Sequence, residues 1–130
     1  MNKLLIAVLL AVFSTSVMAE WTMVGFSDSS FHSADLSTIR KSGNKVKMWV
    51  LLDFKVVQTQ ESDGKRYLST SSQKEYDCKE ETGRMLALIR YSKHMGDGEV
   101  VYTSGAIHAE FEPTPPGSVD AGLFKVACGK

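Results

Sequence analysis

From Lys45 to Val57 the even positions, Val46, Met48, Val50, Leu52, Phe54 and Val56, are all apolar. The odd positions, Lys45, Lys47, Trp49, Leu51, Asp53, Lys55 and Val57, are mixed. Successive side chains of a strand point to opposite faces, so this alternation predicts a strand with one face on a core. A helix would spread the six apolar residues around its circumference. The stretch is long for a single strand, which predicts a bend or bulge near Leu51 to Asp53.

The flanking segments read in the same way. Trp21 to Phe26 predicts a first strand, followed by a polar loop over 27–30. Phe31 to Arg40 predicts a strand fragment and then a helical turn around Asp35 to Ile39. Lys41 to Asn44 is a turn by composition, and Ser62-Asp63-Gly64-Lys65 is a hairpin turn. Tyr67 to Cys78 returns as a more polar strand with Leu68, Thr70, Tyr76 and Cys78 on one face. Ser69, Ser71 and Ser72 are expected to face solvent. Arg84 to Lys93 fits a strand or a short helix. Strand is favoured because Gly96-Asp97-Gly98 and a β-rich run, Glu99 to Ser104, follow it. Met85, Ala87, Ile89 and Tyr91 are expected on one face, with Leu86 and Leu88 on the other. Ile107, Ala109 and Phe111 predict a last short strand. Beyond Pro113 to Gly117, Ser118 is a helix N-cap residue and Asp120 suits the first turn. Val119, Leu123, Phe124, Val126 and Ala127 then form an apolar arc that predicts a helix to Cys128. Gly122 weakens that helix by about 1 kcal/mol relative to Ala, unless it permits close approach to the sheet.

The first residues have the grammar of an export signal: Lys3, an apolar run from Leu4 to Phe13, and small residues Val17 and Ala19 at a cleavage site. Cleavage is expected between Ala19 and Glu20, giving a signal over 1–19 and one domain over 20–130. The apolar run is shorter than the about 20 residues of a membrane-spanning helix, and no later stretch qualifies. The expected location is periplasmic or secreted. No cysteine lies near the cleavage site to carry a lipid anchor. Export puts Cys78 and Cys128, the two cysteines of the chain, where disulfides persist. They allow one intramolecular bridge, with an intermolecular bridge or free thiols as the alternatives.

The full chain has 15 Lys+Arg and 15 Asp+Glu. Loss of Lys3 with the signal leaves 14 against 15, a net charge near −1. That balance argues against a general binder of nucleic acid or anionic membrane.

No catalytic or metal-binding pattern stands out. His32, His94 and His108 share no metal spacing and are expected on the surface or in turns. The alternative is a haem or metal role for His94 or His108. No Gly-x-Ser-x-Gly motif occurs, so an enzyme is not expected, and neither is a cofactor. The one informative group is Trp49, flanked by Lys47 and Lys55 on the mixed face. An aromatic with cationic neighbours suits a protein contact surface. The competing expectation is that the C-terminal helix covers this face, or that Trp49 is a boundary residue.

Asp35, Ser37-Thr38-Ile39-Arg40, Gly43-Asn44-Lys45-Val46 and Met48 to Phe54 come first in a series of short motifs. Glu75-Tyr76-Asp77-Cys78, Arg84, Tyr91-Ser92, Met95 to Gly98, Pro116-Gly117-Ser118 and Ala127-Cys128 follow in order. Together these segments resemble the surface-adhesin protein E family of bacterial exported proteins. The resemblance implies an antiparallel sheet carrying a helix, with a disulfide, and adhesion to host extracellular-matrix or serum proteins. The combined expectation is an α+β domain: a twisted antiparallel sheet of about five or six strands, one C-terminal helix and a Cys78–Cys128 bridge. It would serve as a protein-binding module, with strand edges open to a homodimer. The alternative is a soluble periplasmic accessory protein for a small ligand or an envelope partner.

Overall fold

The alternating segment forms a central strand of an antiparallel meander. The computed structural model describes residues 19–105, 107 and 109–129. In chain order the strands are β1 (Thr22–Phe26), β2 (Ser30–Ser42), β3 (Lys45–Thr59), β4 (Arg66–Asp77), β5 (Thr82–Tyr91), β6 (Val100–Ser104) and β7 (Glu112–Pro113). A single helix, α1 (Val119–Cys128), follows them. Strands β1 to β6 lie side by side in sequence order, and the short β7 pairs with β5. This gives the expected α+β architecture, with the Cys78–Cys128 disulfide formed.

Val46, Met48 and Val50 on β3 are buried with Ala34 and Tyr76 against Leu123, Phe124 and Ala127 of α1. The even positions therefore do face the core, but only up to the bend. Register breaks between Asp53 and Gln58, slightly beyond the expected site, and there the alternation stops tracking the core. Val56 is 68% exposed.

Three further segments depart from expectation. Phe31 to Arg40 holds no helical turn; it lies within β2. The register steps from Asp35 opposite Trp49 to Arg40 opposite Lys47, so β2 carries extra residues there. Local side chains satisfy the bulged backbone. Asp35 Oδ1 accepts from the Ser37 backbone N–H at 3.1 Å, and Thr38 Oγ1 accepts from the Trp49 backbone N–H at 2.9 Å. Asp and Ser make the same local bonds at helix starts, which is why the segment resembles one. Second, β5 bulges at Leu86, between the Ala87–Gln73 and Met85–Lys74 pairs. This turns Met85 to the face opposite Ala87. Third, Ile107, Ala109 and Phe111 form no strand. The Ile107 N–H donates to the carbonyl of the bulged Leu86 at 2.9 Å, and the next strand after β6 among the described residues is β7.

The helix is tied to the sheet at both ends. Ser118 Oγ caps it by accepting from the Ala121 N–H at 3.1 Å. Asp120 in the first turn accepts from Tyr76 Oη at 3.1 Å and pairs with Lys74 Nζ at 3.2 Å. Cys128, its last residue, bonds Cys78 just past β4. Val119 of the expected apolar arc remains partly exposed. Gly122 serves no close approach: a Cβ built there meets nothing within 4 Å. Gly122→Ala is thus expected to stabilise the protein by about 1 kcal/mol. A urea midpoint unchanged or lowered by the substitution would contradict this.

Candidate contact surface

The face opposite α1 carries the odd positions of β3, so the helix does not cover Trp49. Register places Ser69, Ser71, Gln73 and Glu75 of β4 on this face, and Ile89 and Tyr91 of β5 beside them. Two segments cover its ends. At one end the turn His94–Gly96 folds back over the sheet. Asp53 Oδ1 lies 3.0 Å from His94 Nδ1 and accepts from the Met95 N–H at 3.0 Å. Ser69 Oγ donates to the Lys93 carbonyl at 2.6 Å and accepts from the Gly96 N–H at 2.9 Å. Leu51, an odd-position residue, is only 1% exposed. At the other end Phe111 lies over the Arg84 guanidinium, whose carbon is 4.3 Å from the ring centroid, with Lys45 Nζ at 5.3 Å. Arg84 is paired in turn with Glu75 at 2.6 Å.

Between these covers Trp49 lines a shallow groove of about 300 Å³ with Trp21, Asp35, Thr38, Ser71, Ile89 and Tyr91. Lys47 is exposed two residues away on the same strand. Lys55 is also exposed but sits elsewhere: six residues span roughly 20 Å at about 3.3 Å per residue. Its ammonium lies 5.1 Å from the centroid of Phe31, beyond the covered Asp53. The fold thus brings Lys47 and Trp49 together and sets Lys55 apart. It adds Trp21 and Tyr91, which no local pattern pointed to. Trp21 precedes β1, and Tyr91 reaches the groove through strand register.

Ser69, Ser71 and Ser72 are buried rather than solvent-facing. The first holds the His94–Gly96 turn, and Ser71 Oγ lies 3.2 Å from Tyr91 Oη. A polar strand can be buried when its buried polar atoms are hydrogen-bonded, and among the described residues no fully buried side-chain N or O atom lacks a partner. His32 is likewise buried and not a surface or turn residue. Its Nε2 lies 2.9 Å from Ser30 Oγ, and burial lowers its pKa, favouring the neutral ring. His94 sits in a turn against Asp53, while His108 lies outside the described residues. Among the described residues no group of three or more His, Cys, Asp or Glu could hold a metal ion. No helix among them is long and apolar enough to cross a membrane. Ala19 and Glu20 are exposed at the start of the described chain, and residues 1–18 of the expected signal lie outside it.

A six-stranded meander with a disulfide-tied helix on one face and an aromatic groove on the other defines a small α+β module with an open sheet face. Residues 21–129 match the family model Surface-adhesin protein E, and the chain belongs to that family. Among solved structures, protein E of Haemophilus influenzae superposes with a TM-score of 0.63 at 12% identity, over 88% of each chain. A crystal structure of protein E from non-typeable Haemophilus influenzae gives 0.56 at 13% identity, covering 87% of this chain and 79% of that one. Crystal form II of the Haemophilus influenzae protein gives 0.59 at 10% identity, covering 82% and 91%. At these identities the likeness is one of fold. By sequence, no curated protein matches the chain.

Proposed function

We propose that this protein is an exported, non-enzymatic binding module of adhesin type, whose Trp49 face takes a host extracellular-matrix or serum protein. The family match over 21–129 carries this reading. In this reading residues 1–19 are the export signal and 20–130 the working domain. Cleavage after Ala19 would also remove that residue from the rim of the groove. Half-buried aromatic side chains on an otherwise polar surface are the usual anchors of protein interfaces, and a neighbouring lysine steers an acidic partner. Strands β1 and β6 are edge strands, with Met23, Phe26 and Val100 exposed, so a second copy could pair there.

Two measurements test the reading. External protease or antibody should reach the native protein on intact cells, or the protein should appear in the medium. Purified protein should bind at least one member of a panel of immobilised matrix and serum proteins. Trp49→Ala should weaken that binding at least tenfold, the loss of a typical interface anchor. Lys47→Glu, on an exposed side chain, should slow association without changing thermal stability. Confinement to the periplasm, or binding indifferent to both substitutions, would overturn the assignment.

A further inference from the structure

A second site lies on the side of the sheet that carries the helix, where α1 leaves the far end of β5 uncovered. Arg90 and Leu88 point to this side, opposite Thr70 and Ser72 of β4. The Arg90 guanidinium carbon lies 4.6 Å from the ring centroid of Tyr67 and 5.3 Å from that of Tyr102. A cleft of about 530 Å³ opens here, bounded by the Thr59–Ser62 segment, Leu88 and the two tyrosines. Its volume falls within the range of small-ligand sites, about 300–1,000 Å³.

The guanidinium is held firmly but not neutralised. Nη1 donates to Gln60 Oε1 at 3.1 Å. Gln60 is only 3% exposed and is itself fixed, donating from Nε2 to the Asp63 carboxylate at 3.0 Å. Asp63 also accepts from the Lys65 N–H at 3.0 Å, and this bond holds its carboxyl below the usual range. The Asp63 carboxylate is therefore committed to the turn. Among the described residues the ion pairs within 4.0 Å are Lys74–Asp120, Arg84–Glu75 and His94–Asp53, and none involves Arg90. Glu61, on the rim, is not within that distance. An arginine carries five donors and stays charged at all ordinary pH. Arg90 spends one of them on Gln60.

The same chain shows what completes such an arrangement. Arg84, on the same strand, also lies against an aromatic ring, and there Glu75 fills the fork with Nε and Nη2 bonds of 2.9 and 2.6 Å. At Arg90 the aromatic rings and the guanidinium are present, and the carboxylate is missing. We propose that the Arg90–Tyr67–Tyr102 cleft binds a small ring-bearing carboxylate. Its carboxylate takes the guanidinium fork, and its ring packs against the partly exposed face of Tyr102. An aromatic acid and a sugar acid share this chemistry. The site is separate from the Trp49 face, so either proposal can fail alone.

The test is an NMR titration of the exported protein with benzoate and with glucuronate, using benzamide and glucose as neutral controls. Saturable shifts confined to Gln60, Tyr67, Arg90 and Tyr102 are expected for at least one acid, with a dissociation constant of about 1 mM or below. Which acid binds identifies the source. Arg90→Gln should weaken binding at least tenfold, and Tyr102→Ala, on an edge strand, should weaken it with the fold intact. Absence of saturable shifts with both acids would overturn the proposal. So would equal binding of the neutral controls, or equal binding by both variants.

Discussion

Removing the Cys78–Cys128 bridge is expected to lower the unfolding free energy by about 4 kcal/mol. The two cysteines are 50 residues apart, and the entropy lost by the unfolded chain on closing such a loop sets this size. The bridge also fastens the last residue of α1 to the end of β4. Without it, the helix is held by the burial of Leu123, Phe124 and Ala127 and by the Asp120 contacts near its start. A ten-residue helix has little stability of its own in water. The loss should therefore appear first in α1. Urea titration of Cys78→Ser/Cys128→Ser, with hydrogen exchange on the same protein, checks both parts. The midpoint should fall, and α1 amides should exchange well before those of β3 and β4. A loss below about 1 kcal/mol, or uniform exchange across the domain, would show that packing alone holds the helix.

What the sequence made legible was local parity and local capping. Val46, Met48 and Val50 advertise a core face because alternation needs only neighbours, and Ser118 marks a helix start through one bond three residues away. Parity survives only as far as the next bulge. Past Asp53, at Leu86 and between Asp35 and Arg40, extra residues shift it, and their positions depend on partner strands. Burial of Ser69 and Ser71 was hidden for a related reason: a turn more than 20 residues away, at His94–Gly96, and Tyr91 supply the partners. The contact surface divides in the same way. Lys47 and Trp49 share a strand and could be read together. Lys55 shares it too, but Asp53 recruits the His94 turn between them. Tyr91 and the Arg90 cleft arise from cross-strand register, which no single strand encodes.

Tyr76 joins these levels, and Tyr76→Ala is expected to cost about 3–5 kcal/mol, the range for removing a large buried aromatic. The residue is 0% exposed. Its ring meets Phe124 of α1 edge-on, with centroids 5.9 Å apart and planes at 82°. Its hydroxyl donates to Asp120 at 3.1 Å, and burial, reinforced by the Asp120 charge, raises its pKa far above the ordinary phenol value. The group stays a donor at any pH the protein meets. Tyr76→Phe keeps the ring and should cost about 1.5–3 kcal/mol, the net worth of a hydrogen bond to a charged carboxylate. Beneath the ring lies Gly83, its cross-strand partner. A Cβ at Gly83 would stand 2.8 Å from both Cδ1 and Cε1 of Tyr76. Gly83→Ala should therefore cost about 1–3 kcal/mol through overpacking. If that clash is the cause, the cost should fall to a few tenths of a kcal/mol once Tyr76 is alanine, so the two substitutions should couple strongly. Urea denaturation of the four proteins of this cycle measures the coupling. Additive losses would mean that contact with the Tyr76 ring is not what the alanine at 83 disturbs, since the Gly83 backbone is not in the left-handed region.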